Sequence, residues 1–524
     1  MEDYSGVLIR SEHLTIRYPR ATAPAVENVS LEVLRGDRLL LLGPSGCGKS
    51  TLLFAMAGVI PAHVSATIDG SLVRSAGRIA VVLQNPEAQM IAPTVELELA
   101  FSLENSGLPA AQMTERIDHA LDDFGIRDLR HRSPSTLSGG ECQKVSLAAA
   151  VAGGPEILFL DEPTAFLDPR STRSFFTLLQ RVDRSITIVM VEHKIEFVRN
   201  FVDRYARMDK PNGSDSSIVE TGLVSDSRTA DTLTPHYWFT GFEERLEEPR
   251  SVFPASMSTA PLLEIDSLHH VYPPATVALH DVSLSVYPGE TVVVMGPNGS
   301  GKSTLLDRIA ALSDGGGKAA RNLDGMRIVA GKRRRAASIR IRGRDVRRIP
   351  GHTLYSLLYL IPQNPEHLFL TDTLAEELSV QGSDGTAIAE VTERFRLAGL
   401  ESRNPYSLSE GEKRRLNLCC AQLDPRDLLL LDEPTYGLDA SAIASLVDLL
   451  VLFRRAGRTL VIVTHSPELA HLVADRLIIL DRGTVRFAGP PGELLLSPDP
   501  SLREFLPHWS NVQAPVSREE GSEA

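Results

Sequence analysis

Two stretches decide the fold: GPSGCGKST, from Gly43 to Thr51, and GPNGSGKST, from Gly296 to Thr304. Both follow GxxxxGK[ST], in which glycines let the backbone turn its N–H groups around phosphate oxygens while a lysine reaches the β/γ-phosphates and a hydroxyl reaches Mg²⁺. Each comes directly after an unbroken apolar run, RLLLLG (Arg38–Gly43) and TVVVMG (Thr291–Gly296). Aliphatic runs of this length read as parallel strands buried on both faces. A helix opening at the lysine adds a favourable dipole for phosphate. The candidate phosphate contacts are therefore Gly43, Ser45, Gly46, Cys47, Gly48, Lys49, Ser50 and Thr51, and again Gly296, Asn298, Gly299, Ser300, Gly301, Lys302, Ser303 and Thr304. Ser50 and Ser303 are the expected Mg²⁺ hydroxyls. For Cys47 the plain reading is a small residue that fits.

The loops belong to a repeat of roughly half the chain. Gln84 pairs with Gln363, Ser138 with Ser409, Asp161 with Asp432 and His193 with His465. The serine-to-aspartate interval is 23 in both halves (138 to 161, 409 to 432), and the aspartate-to-histidine interval is 32 or 33 (161 to 193, 432 to 465). Asp161 and Asp432 end the aliphatic runs EILFLDEP and LLLLDEP, where a carboxylate is costly unless a cation answers it. Mg²⁺ supplies that cation. The next residues, Glu162 and Glu433, are candidate general bases for the attacking water. His193 (VMVEHK) and His465 (IVTHS) close further apolar runs and are candidates for a γ-phosphate contact.

Composition sets the frame. The 524 residues contain 43 % hydrophobic and 23 % charged side chains, those of a globular chain with two sizeable cores. The formal charge of −13 speaks against a nucleic-acid binder, whose footprint is basic. The cysteines, Cys47, Cys142, Cys419 and Cys420, have no metal-ligand spacing, which fits a reducing compartment. No run reaches eighteen apolar residues, so the chain is not expected to span a membrane by itself. The expected organisation is an α/β domain over 1–225, a Ser/Pro-rich acidic linker over 226–258, a second α/β domain over 259–497 and a tail over 498–524. The halves differ most between lysine and aspartate, 112 residues against 130 (49 to 161, 302 to 432). The surplus leads into a segment with nine Lys/Arg between Lys332 and Arg348, readable as a contact for an anionic partner or as a solvated insertion.

LSGGE (Leu137–Glu141) and LSEGE (Leu408–Glu412) resemble the signature motif of the ABC ATPase superfamily, and TAFLD (Thr164–Asp168) and TYGLD (Thr435–Asp439) resemble its D-loop. Tyr18 and Tyr272 match the aromatic that stacks on adenine. The resemblance covers nearly all of both halves. It implies two tandem P-loop NTPase domains, each with a mainly parallel sheet, an antiparallel β subdomain and a helical signature subdomain. It also implies ATP with Mg²⁺ as cofactors and head-to-tail pairing. Ser138, Gly139 and Gly140, or Ser409 and Gly411, then face the other half's phosphate loop. Gln84 and Gln363 complete the Mg²⁺ and γ-phosphate shell beside Asp161 and Asp432. Glu410 replaces the first signature glycine facing Lys49, and a carboxylate near the γ-phosphate is repelled. The Lys302–Ser138 site is therefore expected to be the faster.

QNPEAQM (Gln84–Met90) and QNPEHLF (Gln363–Phe369) resemble the loops of energy-coupling-factor importer ATPases, although His367 departs from the fuller pattern. This implies a peripheral subunit at the cytoplasmic face of a prokaryotic membrane, working with a transmembrane coupling protein and a small substrate-binding membrane protein, without nucleic acid. A fused sugar-importer ATPase, an exporter ATPase and a soluble ribosome-acting ATPase remain alternatives. The last has a long charged helical linker as its hallmark, which 226–258 does not offer.

Overall fold

The computed structural model describes residues 6–19, 21, 23–44, 46–165, 167–209, 217–224, 260–272, 276–311, 338–380, 384–395, 397–408, 410–424, 426–435, 438 and 440–507. They form two compact units, one holding the elements up to Leu223 and the other those from Leu263 onward. The linker and the segment 312–337 lie outside the described residues.

In the first unit β1 (Val7–Arg17) pairs antiparallel with β2 (Val26–Leu34) and β4 (Thr67–Arg74). The larger sheet has six strands in the order β5-β6-β7-β3-β8-β9. Their spans are β3 (Arg38–Leu42), β5 (Ile79–Val82), β6 (Ile157–Asp161), β7 (Thr187–Val191), β8 (Arg204–Asp209) and β9 (Ser217–Leu223). Only β9 runs antiparallel. Every residue of β3, β6 and β7 is buried. Their runs lack alternation because both faces of the sheet are covered.

The second unit repeats the six-stranded sheet position by position and has a fourth strand in its antiparallel sheet. An antiparallel sheet, β11-β10-β13-β14, is built from β10 (Leu263–Tyr272), β11 (Thr276–Val286), β13 (Ser338–Ile341) and β14 (Arg344–Asp345). The six-stranded sheet runs β15-β16-β17-β12-β18-β19. It uses β12 (Thr291–Met295), β15 (Leu358–Ile361), β16 (Leu428–Asp432), β17 (Thr459–Val463), β18 (Arg476–Asp481) and β19 (Thr484–Gly489). Sharing this order position by position confirms the α/β repeat. Among the described residues no helix is long and apolar enough to cross a membrane.

Two sequence expectations meet structural detail here. The basic segment contributes β13 and β14, and three of its arginines pair inside their own unit: Arg340 with Glu264 at 3.1 Å, Arg342 with Asp427, and Arg347 with Asp345 at 2.5 Å. The stretch assigned to the tail begins with a 3-10 turn, Pro500–Phe505, whose Leu502 and Phe505 are buried.

Candidate functional site

In each unit the central strand, β3 or β12, delivers the chain into the phosphate loop at its carboxyl end, where ligand crevices form in parallel sheets. The helices Lys49–Met56 and Lys302–Ile309 start at the lysines. Gly48 and Gly301 precede them in the left-handed region, at φ 95° and 100°. A Cβ at either would lie 2.3 Å from a backbone oxygen, of Ala25 or Ala278, so only glycine fits. Ser45 lies outside the described residues.

Both lysines are buried and fold back over their loops. Lys49 Nζ donates to Gly43 O and Pro44 O at 2.8 and 2.9 Å, and Lys302 Nζ to Gly296 O and Pro297 O at 2.9 Å each. Ser50 Oγ donates to Asp161 Oδ1 at 2.7 Å and Ser303 Oγ to Asp432 Oδ1 at 3.4 Å. Hydroxyl and carboxylate, brought together from opposite ends of each unit's sequence, are the oxygen donors that Mg²⁺ prefers. Burial pushes both aspartates up to about 6, against the opposing hydroxyl hydrogen bond from Ser50 or Ser303. That elevation is what two carboxylates awaiting a cation should show.

Glu162 and Glu433 follow, both in the left-handed region at φ 44° and 48°. Non-glycine residues held there mark strain retained by the surrounding structure. Gln84 Nε2 donates to Glu162 Oε2 at 2.8 Å, and His193 Nε2 lies 3.1 Å from Glu162 Oε1. In the second unit His465 Nε2 is 3.2 Å from Glu433 Oε1, whereas Gln363 is exposed and makes no hydrogen bond with Glu433. Burial, with Asp432 adding repulsion and Lys302 opposing, holds the Glu433 carboxyl well above the usual carboxylate range. Tyr18 and Tyr272 stand beside the loops, their hydroxyls 3.1 and 3.3 Å from Thr51 and Thr304 Oγ1. Cys47 and its counterpart Ser300 are both buried.

The signature residues sit elsewhere in their own unit. Ser138 caps the helix Gly139–Ala152 through a capping box with Glu141, its backbone N donating to Glu141 Oε2 at 2.7 Å. It makes no hydrogen bond to the phosphate loop of its own unit. Gly411 lies in the helix Glu410–Leu423, while Ser409 falls outside the described residues.

Sequence reasoning missed several side chains. Glu192 and Lys194 flank His193, and the signal was visible as VEHK against VTHS. Glu98 and Glu377 are buried and accept backbone N–H groups from 91–92 and 370–371 at 2.9–3.1 Å. In the second unit, signature-helix side chains grip the loop after the glutamine. Lys413 Nζ meets Glu366 Oε1 at 2.5 Å, Arg414 donates to Gln363 O and Asn417 to Pro365 O. Cys142, Gln143 and Ser146 occupy those positions in the first unit.

The ABC transporter family model matches residues 26–165 and 279–436. YkoD of Bacillus subtilis, named for HMP/thiamine import as an ATP-binding protein, is 32 % identical over 93 % of this chain and 92 % of its own. The ABC transporter ATP-binding protein SCO2324 of Streptomyces coelicolor is 32 % identical over 97 % and 98 %. Among solved structures, an RNase-L inhibitor aligns over 92 % of this chain and 90 % of its own with a TM-score of 0.57 at 20 % identity. The archaeal ribosome recycling factor aABCE1 aligns over 91 % and 89 % with a TM-score of 0.56 at 18 % identity. At those identities the structural likeness concerns the tandem fold alone.

Proposed function

The chain belongs to the ABC transporter family, whose ATP hydrolysis is coupled to transport, and we propose that it is the fused ATPase pair of an importer of the energy-coupling-factor type. One observation carries this reading. Seven and seventeen residues after each glutamine stand exposed apolar side chains at matched positions (84 to 91 and 101; 363 to 370 and 380). Ile91 is 67 % and Phe101 43 % exposed; Leu370 is 77 % and Val380 52 % exposed. In both units the turn carrying the first of each pair is held from beneath by the buried Glu98 or Glu377.

A buried carboxylate spent twice on presenting an apolar side chain to solvent fits a face built for a partner. In the first unit that face borders a cavity of about 310 Å³ between the edge strand β5 and the helices Val95–Asn105 and Gly139–Ala152, lined by Val81, Gln89, Phe101 and Ser146 among others. A cytoplasmic helix of a transmembrane coupling protein, laying an apolar stripe into such a groove, is the occupant proposed. The Gln-Asn-Pro-Glu tetrapeptides at 84–87 and 363–366 and the import named for YkoD support the importer type. The cargo would then be a vitamin, a vitamin precursor or a transition-metal ion held by a separate membrane protein. Mg²⁺ held by Ser50 with Asp161, and by Ser303 with Asp432, would neutralise phosphate charge while Glu162 and Glu433 orient water. The chain would work at the cytoplasmic face of the membrane.

The test is purification of the chain from its native membranes in mild detergent, beside the double variant I91E/L370E. The expected result is a polytopic protein and a small membrane protein with the parent chain, both lost from the variant while its ATPase rate stays within about twofold. Retention of both proteins by the variant removes the proposed face. Recovery of ribosomes in place of membrane proteins overturns the importer reading.

A further inference from the structure

The two candidate general bases occupy the same backbone position and different side-chain postures. Glu162 N donates to Val191 O at 2.9 Å and Glu433 N to Val463 O at 2.8 Å, at nearly equal φ. In the first cassette the Glu162 carboxylate faces Gln84 and His193, with its side chain 18 % exposed. In the second, Glu433 Oε2 accepts the backbone N–H of His465 at 3.0 Å, and the side chain is 10 % exposed. It is drawn inward, away from Gln363.

The residue before the histidine accounts for the difference. In the first cassette it is Glu192, 2 % exposed. Glu192 Oε1 accepts the backbone N–H groups of His193 and Lys194 at 2.8 and 3.1 Å, and Oε2 accepts Thr164 Oγ1 at 2.7 Å. Lys194 Nζ donates to Thr164 O and Leu167 O at 2.8 Å each, placing a cation in the same bracket. With the His193 N–H answered by Glu192, Glu162 is not needed there. In the second cassette the position is Thr464, whose hydroxyl hydrogen-bonds the Glu433 carboxyl, accepts the Ser466 N–H at 3.1 Å and pairs with Thr435 at 3.2 Å. The His465 N–H is buried polar surface that needs an acceptor, and Glu433 is the group that supplies it.

We propose that the residue before the histidine sets the resting posture of the general base. Glu192 is a positioning residue that leaves Glu162 facing Gln84, and Thr464 leaves Glu433 withdrawn on the His465 amide. To act on a water, Glu433 must first give up the His465 N–H, whereas Glu162 need not give up the His193 N–H, which Glu192 holds. This rests on the ATPase reading of the cassettes and is independent of the type of transporter they drive.

The test uses the full chain and steady-state ATPase kinetics. Thr464→Glu, which gives the second cassette the carboxylate of the first, is expected to raise kcat about two- to fivefold with the KM for ATP unchanged. Glu192→Thr is expected to lower kcat by a similar factor, again with KM unchanged. Glu192→Gln retains a carbonyl acceptor for the His193 N–H and should stay within about twofold of the parent. A crystal structure of the Thr464→Glu variant without nucleotide should show Glu433 turned toward Gln363. If it remains on the His465 amide, or if Glu192→Gln and Glu192→Thr lose activity and melting temperature alike, the positioning role is refuted. A parent chain that hydrolyses no ATP in detergent or in its native membranes would refute the ATPase reading instead.

Discussion

The two cassettes share the strand order of their six-stranded sheets and the same lysine, Asp-Glu pair and histidine, yet the polar contacts around these groups differ. The first fastens the histidine loop to the segment after its acidic pair, through Glu192 and Lys194. The second fastens the loop after its glutamine to the signature helix, through Lys413, Arg414 and Asn417. The Glu192 bracket has a lighter counterpart in the second half, where the Thr464 hydroxyl accepts the Ser466 N–H and pairs with Thr435, while Cys142, Gln143 and Ser146 stand where the second half has Lys413, Arg414 and Asn417. A repeat can therefore conserve its reacting groups while redistributing rigidity around them. Local rigidity follows from such buried, satisfied polar contacts.

The largest expected effect comes from the general bases themselves. Glu162→Gln and Glu433→Gln should each cost their own site about 10²–10⁴-fold. Their shares of total turnover should differ, because two terms rank the sites in opposite order. By the family resemblance, Glu410 in place of a signature glycine sets a like charge against phosphate at the site that uses this signature. Withdrawal of Glu433 opposes it, by the about two- to fivefold that Thr464→Glu is expected to restore. On the sequence expectation that the Lys302–Ser138 site is the faster, Glu433→Gln should remove more of the phosphate release than Glu162→Gln. Equal losses in purified chain would break the inequality altogether.

A second comparison isolates posture from signature. Gln84 holds Glu162 directly, whereas Gln363 makes no hydrogen bond with Glu433. Gln84→Ala should lower kcat about tenfold, the value of one hydrogen bond to a charged group. Gln363→Ala should cost less than about threefold. The reverse order, measured in the same ATPase assay, would mean that Glu433 moves to Gln363 whenever nucleotide binds.

The architecture was legible because buried parallel strands leave an unbroken aliphatic record: RLLLL, ILFLD, TVVVM and LLLLD all became fully or almost fully buried strands. Ser138 was legible twice over, as a signature residue and as the first half of a capping box with Glu141. The posture of Glu433 was not, since the dipeptide Asp-Glu is identical in both halves and the cause lies at position 464, thirty-one residues further on (433 to 464). The pairing within the basic stretch was not legible for a related reason. Arg340 and Arg342 find Glu264 and Asp427, partners far away in sequence that no local charge count can see.

The smallest effect tests what the cassettes have in common. Asp161 and Asp432 both titrate near about 6, raised mainly by burial. A carboxyl whose folded value is raised above its unfolded one stabilises the fold fully below the unfolded value, near 3.8, and loses that contribution as pH rises through about 6. Above about 6 the two buried charges favour any cation that can answer them; below it a proton already has. Mg²⁺ affinity at each site should therefore fall about fourfold between about pH 7.5 and about pH 5.5, once the free nucleotide's own Mg²⁺ affinity is subtracted. The melting-temperature rise given by Mg·ATP should shrink accordingly, by a similar amount in the single variants Glu162→Gln and Glu433→Gln, because the aspartates and not the glutamates set it. A rise that is undiminished in acid would mean that the metal is held by groups other than these two carboxylates.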